Sequence, residues 1–132
     1  MAISRDKREL DERYVKGKTF EEKTGEIFKL KGFEVEIDAQ IAGFQVDILL
    51  KKRKSIGKLY EYYVCECKNW TSNVDQDVVT KSHSTREAAR AALKTTNCEA
   101  IIISESGFTC RAKLTAGSLG IELYTYDELL SE

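Results

Sequence analysis

Proline is absent from the 132 residues, and glycine supplies only eight. That excludes collagen-like, mucin-like and proline-rich chains. Long apolar runs are absent as well. The longest, Ala100 to Ile103, falls far short of the about twenty residues a membrane span needs, so no membrane partner is expected. The N-terminus, Met1-Ala2-Ile3-Ser4-Arg5-Asp6, turns charged at once and has no apolar segment of the kind a secretory leader requires. Histidine occurs once, as His83, in a polar stretch. With no leader, the four cysteines read as reduced thiols of a cytoplasmic protein and not as a disulfide framework. Cys65 and Cys67 sit two apart in a strand-like run, while Cys98 and Cys110 are isolated. That is not the paired loop spacing of a zinc site. They read as small, partly buried apolar side chains.

Charge, by contrast, is plentiful: 33% of residues are charged, yet the net charge is only −1. The balance alone does not announce a nucleic-acid binder. Its distribution says more. Residues 1–94 carry 19 basic and 16 acidic side chains, and residues 95–132 carry 2 and 6. Lys51, Lys52, Arg53, Lys54 and Lys58 make a basic run with no acidic residue inside it. Such a run is usually a solvated loop. It also suits a loop that touches backbone phosphates.

Residues 1–16 read as a charged arm or short helix, and 17–132 as a single domain. Thr19 to Lys31 has Phe20, Thr24, Ile27 and Phe28 at helical spacing, with Thr19 as cap and Gly32 as stop. Phe33 to Asp38 alternates apolar and acidic residues, the period of a half-buried strand. A second strand runs from Phe44 to Leu50 and a third from Leu59 to Trp70, with the basic run and Gly57 as the turn of an antiparallel hairpin. A long helix is predicted over Asn73 to Lys94, capped by Ser72 or Asn73. Glu99 to Ser104 is a short buried strand, Thr109 to Ser118 a helix, Gly120 to Thr125 a strand and Asp127 to Leu130 a last helical turn. Helices between strands imply parallel pairing in the second half. The chain reads as a mixed-sheet α/β domain.

Asp47 stands inside an otherwise apolar strand, Val46-Asp47-Ile48-Leu49-Leu50. A carboxylate there is costly unless it is paired or holds a metal. Glu66 and Lys68 repeat the anomaly in Val64-Cys65-Glu66-Cys67-Lys68. Side chains alternate along a strand, so Glu66 and Lys68 share one face and Cys65 and Cys67 the other. In a hairpin, Asp47 comes close to Glu66. Two carboxylates suit a hard divalent cation, and an ammonium beside them suits charge developing on a phosphate. An ordinary salt bridge of Lys68 with Asp47 or Glu66 is the plain alternative. Chemistry alone leaves the two readings open.

The order of these residues and elements resembles the PD-(D/E)XK nuclease superfamily, and within it the Mrr-type restriction endonuclease domains. Phe20-Glu21 with Gly32-Phe33 is similar to that group's first helix. Gly43 with Val46-Asp47-Ile48 is similar to its second strand, and Val64 to Lys68 to its third. Ile101-Ile102-Ile103, then Ser106-Gly107-Phe108-Thr109, Ala112 and Gly120-Ile121, resemble its C-terminal half. The likeness covers about residues 17–130. It implies a restriction-endonuclease-like αβββαβ core, a mixed central sheet flanked by helices. It implies a Mg²⁺-dependent DNA endonuclease, with Mn²⁺ as a substitute and products bearing a 5′-phosphate. Asp47, Glu66 and the backbone carbonyl of Cys67 are the implied metal ligands, Lys68 the catalytic lysine and Glu21 an assisting acid of the first helix. Where Mrr-type chains often carry an acidic residue after the glycine, this one has Gln45. No separate DNA-reading domain is expected, so specificity falls to a homodimer or to a partner protein.

Softer expectations attach to the surroundings. Lys51, Lys52, Arg53 and Lys54 are expected at the hairpin tip on phosphates, with Gln45 and Asn69 near the substrate. Trp70 suits stacking on a base, or the rim of the core. Lys81, His83 and Arg86 are expected on an exposed stretch of the long helix. Two rival readings stay open: a Holliday-junction-type resolvase, which is dimeric, and a non-catalytic nucleic-acid-binding module of the same fold.

Overall fold

The computed structural model describes residues 19–53 and 59–131. The expected arm over 1–16, Lys54 and Lys58 lie outside them. Helix α1 (Phe20–Leu30) begins at a capping box: the Thr19 hydroxyl accepts the Glu22 amide at 3.2 Å, and the Glu22 carboxylate accepts the Thr19 amide at 2.9 Å. Its buried stripe is the predicted one, Phe20, Thr24, Ile27 and Phe28. Gly32 follows the helix with φ +96°, a conformation that suits a residue without Cβ.

Strands β1 (Glu34–Ile41) and β2 (Phe44–Arg53) form a hairpin whose two central residues, Ala42 and Gly43, both take positive φ. That backbone matches the right-handed twist of the flanking strands. β1 runs three residues past the predicted end at Asp38, because Ala39 and Ile41 are buried and keep the alternation going. β2 pairs antiparallel with β3 (Tyr60–Lys68), as predicted, from Ile48 opposite Cys65 to Arg53 opposite Tyr60. Lys51, Lys52 and Arg53 therefore belong to a strand and not to the turn.

After β3 the pairing changes direction. Helix α2 (Gln76–Leu93) leads to β4 (Cys98–Ser104), and α3 (Cys110–Leu119) leads to β5 (Glu122–Thr125). β3, β4 and β5 run parallel, so the sheet is mixed, in the order β1-β2-β3-β4-β5. A last helix, α4 (Tyr126–Ser131), starts from a second Thr/Glu exchange between Thr125 and Glu128. The sheet separates two apolar layers. Cys65, Ile48, Leu50 and Ile103 pack with Phe20, Ile27 and Phe28 of α1 and Leu129 of α4. Val64 and Ile102 pack on the other face with Val78, Val79 and Ala89 of α2 and Ala112 and Ala116 of α3.

The long helix starts later than the sequence predicts. Val74 is held outside it by a bridge: its amide donates to the Gly107 carbonyl at 2.9 Å, and its carbonyl accepts the Thr109 amide at 2.9 Å. Asp75, not Ser72 or Asn73, is the cap residue, and its carboxylate accepts the Thr109 hydroxyl at 2.8 Å. The same hydroxyl accepts the Ala112 amide at 3.1 Å and so caps α3. Thr109 thus ties two helix starts together. Thr109→Ala is expected to lower unfolding stability by about 1–2 kcal/mol, and Thr109→Ser by much less, as read from urea midpoints.

Arg86 also departs from expectation. It is only 5% exposed. Its guanidinium reaches the Gly120 carbonyl at 3.3 Å, His83 Nδ1 at 3.0 Å, Glu87 at 3.1 Å and Glu99 at 3.6 Å. His83 is engaged by this arginine rather than simply solvated.

Candidate active site

The sequence of β2 and β3 places the candidate residues at one end of their pairing. Continuing the register beyond Ile48 and Cys65 would set Asp47 opposite Glu66. The ladder stops there. In its place Asp47 Oδ2 accepts the Cys67 amide at 2.8 Å. A side chain has taken the position of a ladder carbonyl, which fixes that carboxylate oxygen and explains how an acid is tolerated among apolar neighbours.

Glu66 and Lys68 point away from the Cys65 and Cys67 layer. Lys68 Nζ lies 3.0 Å from Glu66 Oε2, with both side chains about one-fifth exposed (21% and 18%). Burial pushes the Glu66 carboxyl above its usual range, and the Asp47 charge pushes it further; Lys68 and Lys81 pull the other way. The two acids therefore feel each other, as the hairpin implied. On the far face, hydrogen bonding with Cys65 comes first, then burial, in raising the Cys67 thiol well above its usual value.

The raised carboxyl carries a cost in stability. Its folded pKa exceeds the unfolded one, so the folded state holds the proton more tightly. Stability is then lost as pH rises from the ordinary carboxylate value through the raised one. Glu66→Gln removes the charge and the cost. Its melting temperature is expected to exceed wild type at neutral pH, with the gain vanishing as pH falls below the ordinary carboxylate range. Paired thermal melts across that range check it.

The structure brings Asp47, Glu66 and Lys68 together. Glu21 stands in the first turn of α1, and no hydrogen bond or ion pair ties it to these three. Gln45 is exposed on β2, two residues before Asp47 and opposite Gln40. Asn69 is exposed just after β3. The basic residues lie elsewhere. Lys51 to Arg53 are four to six strand positions beyond Asp47, roughly 13–20 Å at strand rise, at the opposite end of the hairpin. Lys51 stands over the Tyr60 ring at 4.1 Å, Lys52 over Phe33 at 5.1 Å, and Arg53 donates to the Tyr60 hydroxyl at 3.0 Å.

Two neighbours join the site that the sequence reading does not place there. Lys81 acts on Glu66 from α2, where it flanks the buried Val78, Ser82 and Thr85. Helical phase was the available signal. Trp70 lies beneath the Lys68 ammonium, 4.9 Å from Nζ to the ring centre. Among the described residues, no group of three or more histidine, cysteine or acidic side chains converges as a metal cage.

A mixed five-strand sheet flanked by helices defines a protein of the restriction-endonuclease-like fold. The restriction endonuclease family Mrr_cat matches residues 12–132, and the chain belongs to that family. Among curated proteins none matches. Solved structures agree on the fold. A repair endonuclease from Pyrococcus abyssi is 16% identical with a TM-score of 0.61, over 78% of this chain and 42% of that one. EndoMS in complex with double-stranded DNA is 19% identical with a TM-score of 0.59, over 93% and 45%. The MspJI restriction endonuclease in complex with a 27-mer oligonucleotide is 11% identical with a TM-score of 0.57, over 95% and 29%. The chain spans less than half the length of each of these three proteins.

Proposed function

We propose that the chain is a divalent-metal-dependent endonuclease that hydrolyses phosphodiester bonds in DNA, with Asp47, Glu66 and Lys68 at its centre. The observation that carries this reading is the convergence of two carboxylates and an ammonium where the β2–β3 ladder stops. An acid pushed up by burial and by a second acid is a group that gains from a cation. The donor set fits Mg²⁺, which is usually held by one or two carboxylates and keeps several waters, with Mn²⁺ as a substitute. Asp47 and Glu66 would hold it, with the Cys67 carbonyl as a further ligand. When bound, such a cation polarises the phosphoryl oxygen and makes a bound water more acidic.

The protein's own part is orientation. The Cys67 amide fixes one Asp47 oxygen and leaves the other for a ligand. Glu66 presents its carboxylate from the neighbouring strand. Lys68 stands where an ammonium can steady the attacking water and the charge growing on the phosphate. A water oxygen then bonds to phosphorus as the bond to the 3′ oxygen breaks, giving a 5′-phosphate and a 3′-hydroxyl. DNA as substrate is supported by family membership and by the neighbour solved with double-stranded DNA.

Incubation with supercoiled, linear, single-stranded and four-way-junction DNA, in Mg²⁺, Mn²⁺ or EDTA, tests the reading. Cutting of duplex DNA that needs metal is expected. Junction preference by a dimer would favour a resolvase. DNA binding without cutting, equal in metal and in EDTA, would favour a non-catalytic module.

A further inference from the structure

We propose that Trp70 is a positioning residue for Lys68, holding its ammonium at the mouth of the site once Glu66 is taken by a cation; this rests on the nuclease reading above. Lys68 has two side-chain partners among the described residues: the Glu66 carboxylate at 3.0 Å and the Trp70 ring at 4.9 Å. The first is also a candidate metal ligand. With Glu66 engaged by a divalent cation, the ion pair would weaken and Lys68 would keep the indole face as its partner. An ammonium within about 6 Å of a tryptophan ring centre is attracted by it. Without such a partner, the four-carbon stem of lysine is free to sweep through many rotamers.

The setting of Trp70 supports this role. It is 41% exposed, so core packing does not account for it. Yet its segment is strapped to the turn between β4 and α3. The Glu105 amide donates to the Lys68 carbonyl at 3.0 Å, and the Ser106 hydroxyl donates to the Ser72 carbonyl at 2.6 Å. Trp70 lies between these two anchors, so the backbone that carries its ring is tied beside the catalytic strand.

Trp70 is the only tryptophan, so its emission reports on this site alone. Two measurements test the pair. In plasmid cleavage, Trp70→Ala is expected to lower kcat roughly 3- to 30-fold with KM little changed, and Trp70→Phe to recover most of the loss. In the absence of DNA, Mg²⁺ is expected to shift the emission of the wild-type protein but not of Lys68→Met. A KM effect with kcat unchanged, a Phe variant no better than Ala, no wild-type emission response, or the same response in both proteins would each overturn the proposal. A wild-type protein that cuts DNA while failing these tests sinks the positioning role and leaves the nuclease reading standing. A wild-type protein that cuts nothing sinks both.

Discussion

Lys68→Ala is expected to cut DNA roughly 10²- to 10⁴-fold more slowly than wild type while remaining folded and DNA-bound. The residue is placed for charge rather than for packing. It ends β3, is one-fifth exposed, and among the described residues pairs ionically with Glu66 alone. Removing a positive charge from beside developing negative charge raises the barrier in the transition state more than it weakens binding. The loss should therefore appear in kcat with KM little altered. Single-turnover cleavage at saturating protein reads this directly. Fold loss should be small, since a partly exposed ion pair contributes little. Cleavage within tenfold of wild type would remove Lys68 from the chemistry.

Arg86→Met is expected to lower unfolding stability by about 2–4 kcal/mol without changing cleavage per folded molecule. Arg86 is on the buried face of α2 and joins elements distant in sequence. One guanidinium nitrogen reaches the Gly120 carbonyl, at the left-handed end of α3, and also lies 3.6 Å from Glu99 on β4. Others meet His83 and Glu87. Methionine fills much of the volume but leaves the Gly120 carbonyl without this donor. Arg86→Lys keeps the charge yet lacks the planar fork, so an intermediate loss is expected. Urea unfolding of the three proteins checks the order. An unchanged midpoint for Arg86→Met would show the network to be dispensable.

What was legible followed from periodicity and local chemistry. The capped first helix, the alternation in Phe33 to Asp38 and the acid inside Val46 to Leu50 are short-range signals, and each led to the right element. The pairing of Asp47 with the Glu66 strand follows from hairpin logic, since only a short basic stretch with Gly57 separates the two apolar runs in the sequence. What was not legible depends on distant parts of the chain. Val74 reads as helical because its spacing fits, but its backbone is claimed by Gly107 and Thr109, more than thirty residues on. Arg86 reads as an exposed helix cation, and only the arrival of Gly120 and Glu99 buries it. The basic run reads as a loop, whereas aromatic faces at Tyr60 and Phe33 let its first three residues extend the strand. Lys81 joins the site through the packing of α2, for which helical phase is the one sequence signal, and Trp70 through the strapping of the 69–73 segment, which leaves no mark in spacing.

Under the proposal made above, Asp47 and Glu66 hold a cation with which this chain cuts DNA. The most direct measurement is nicking or linearisation of supercoiled plasmid by wild type and Asp47→Asn, each in Mg²⁺ and in EDTA. Asparagine keeps the shape and an oxygen for the Cys67 amide, so the variant should fold while losing the charge. Cutting is expected from wild type in Mg²⁺ only, and none from the variant. Equal cutting by both proteins, or cutting that survives EDTA, would contradict it.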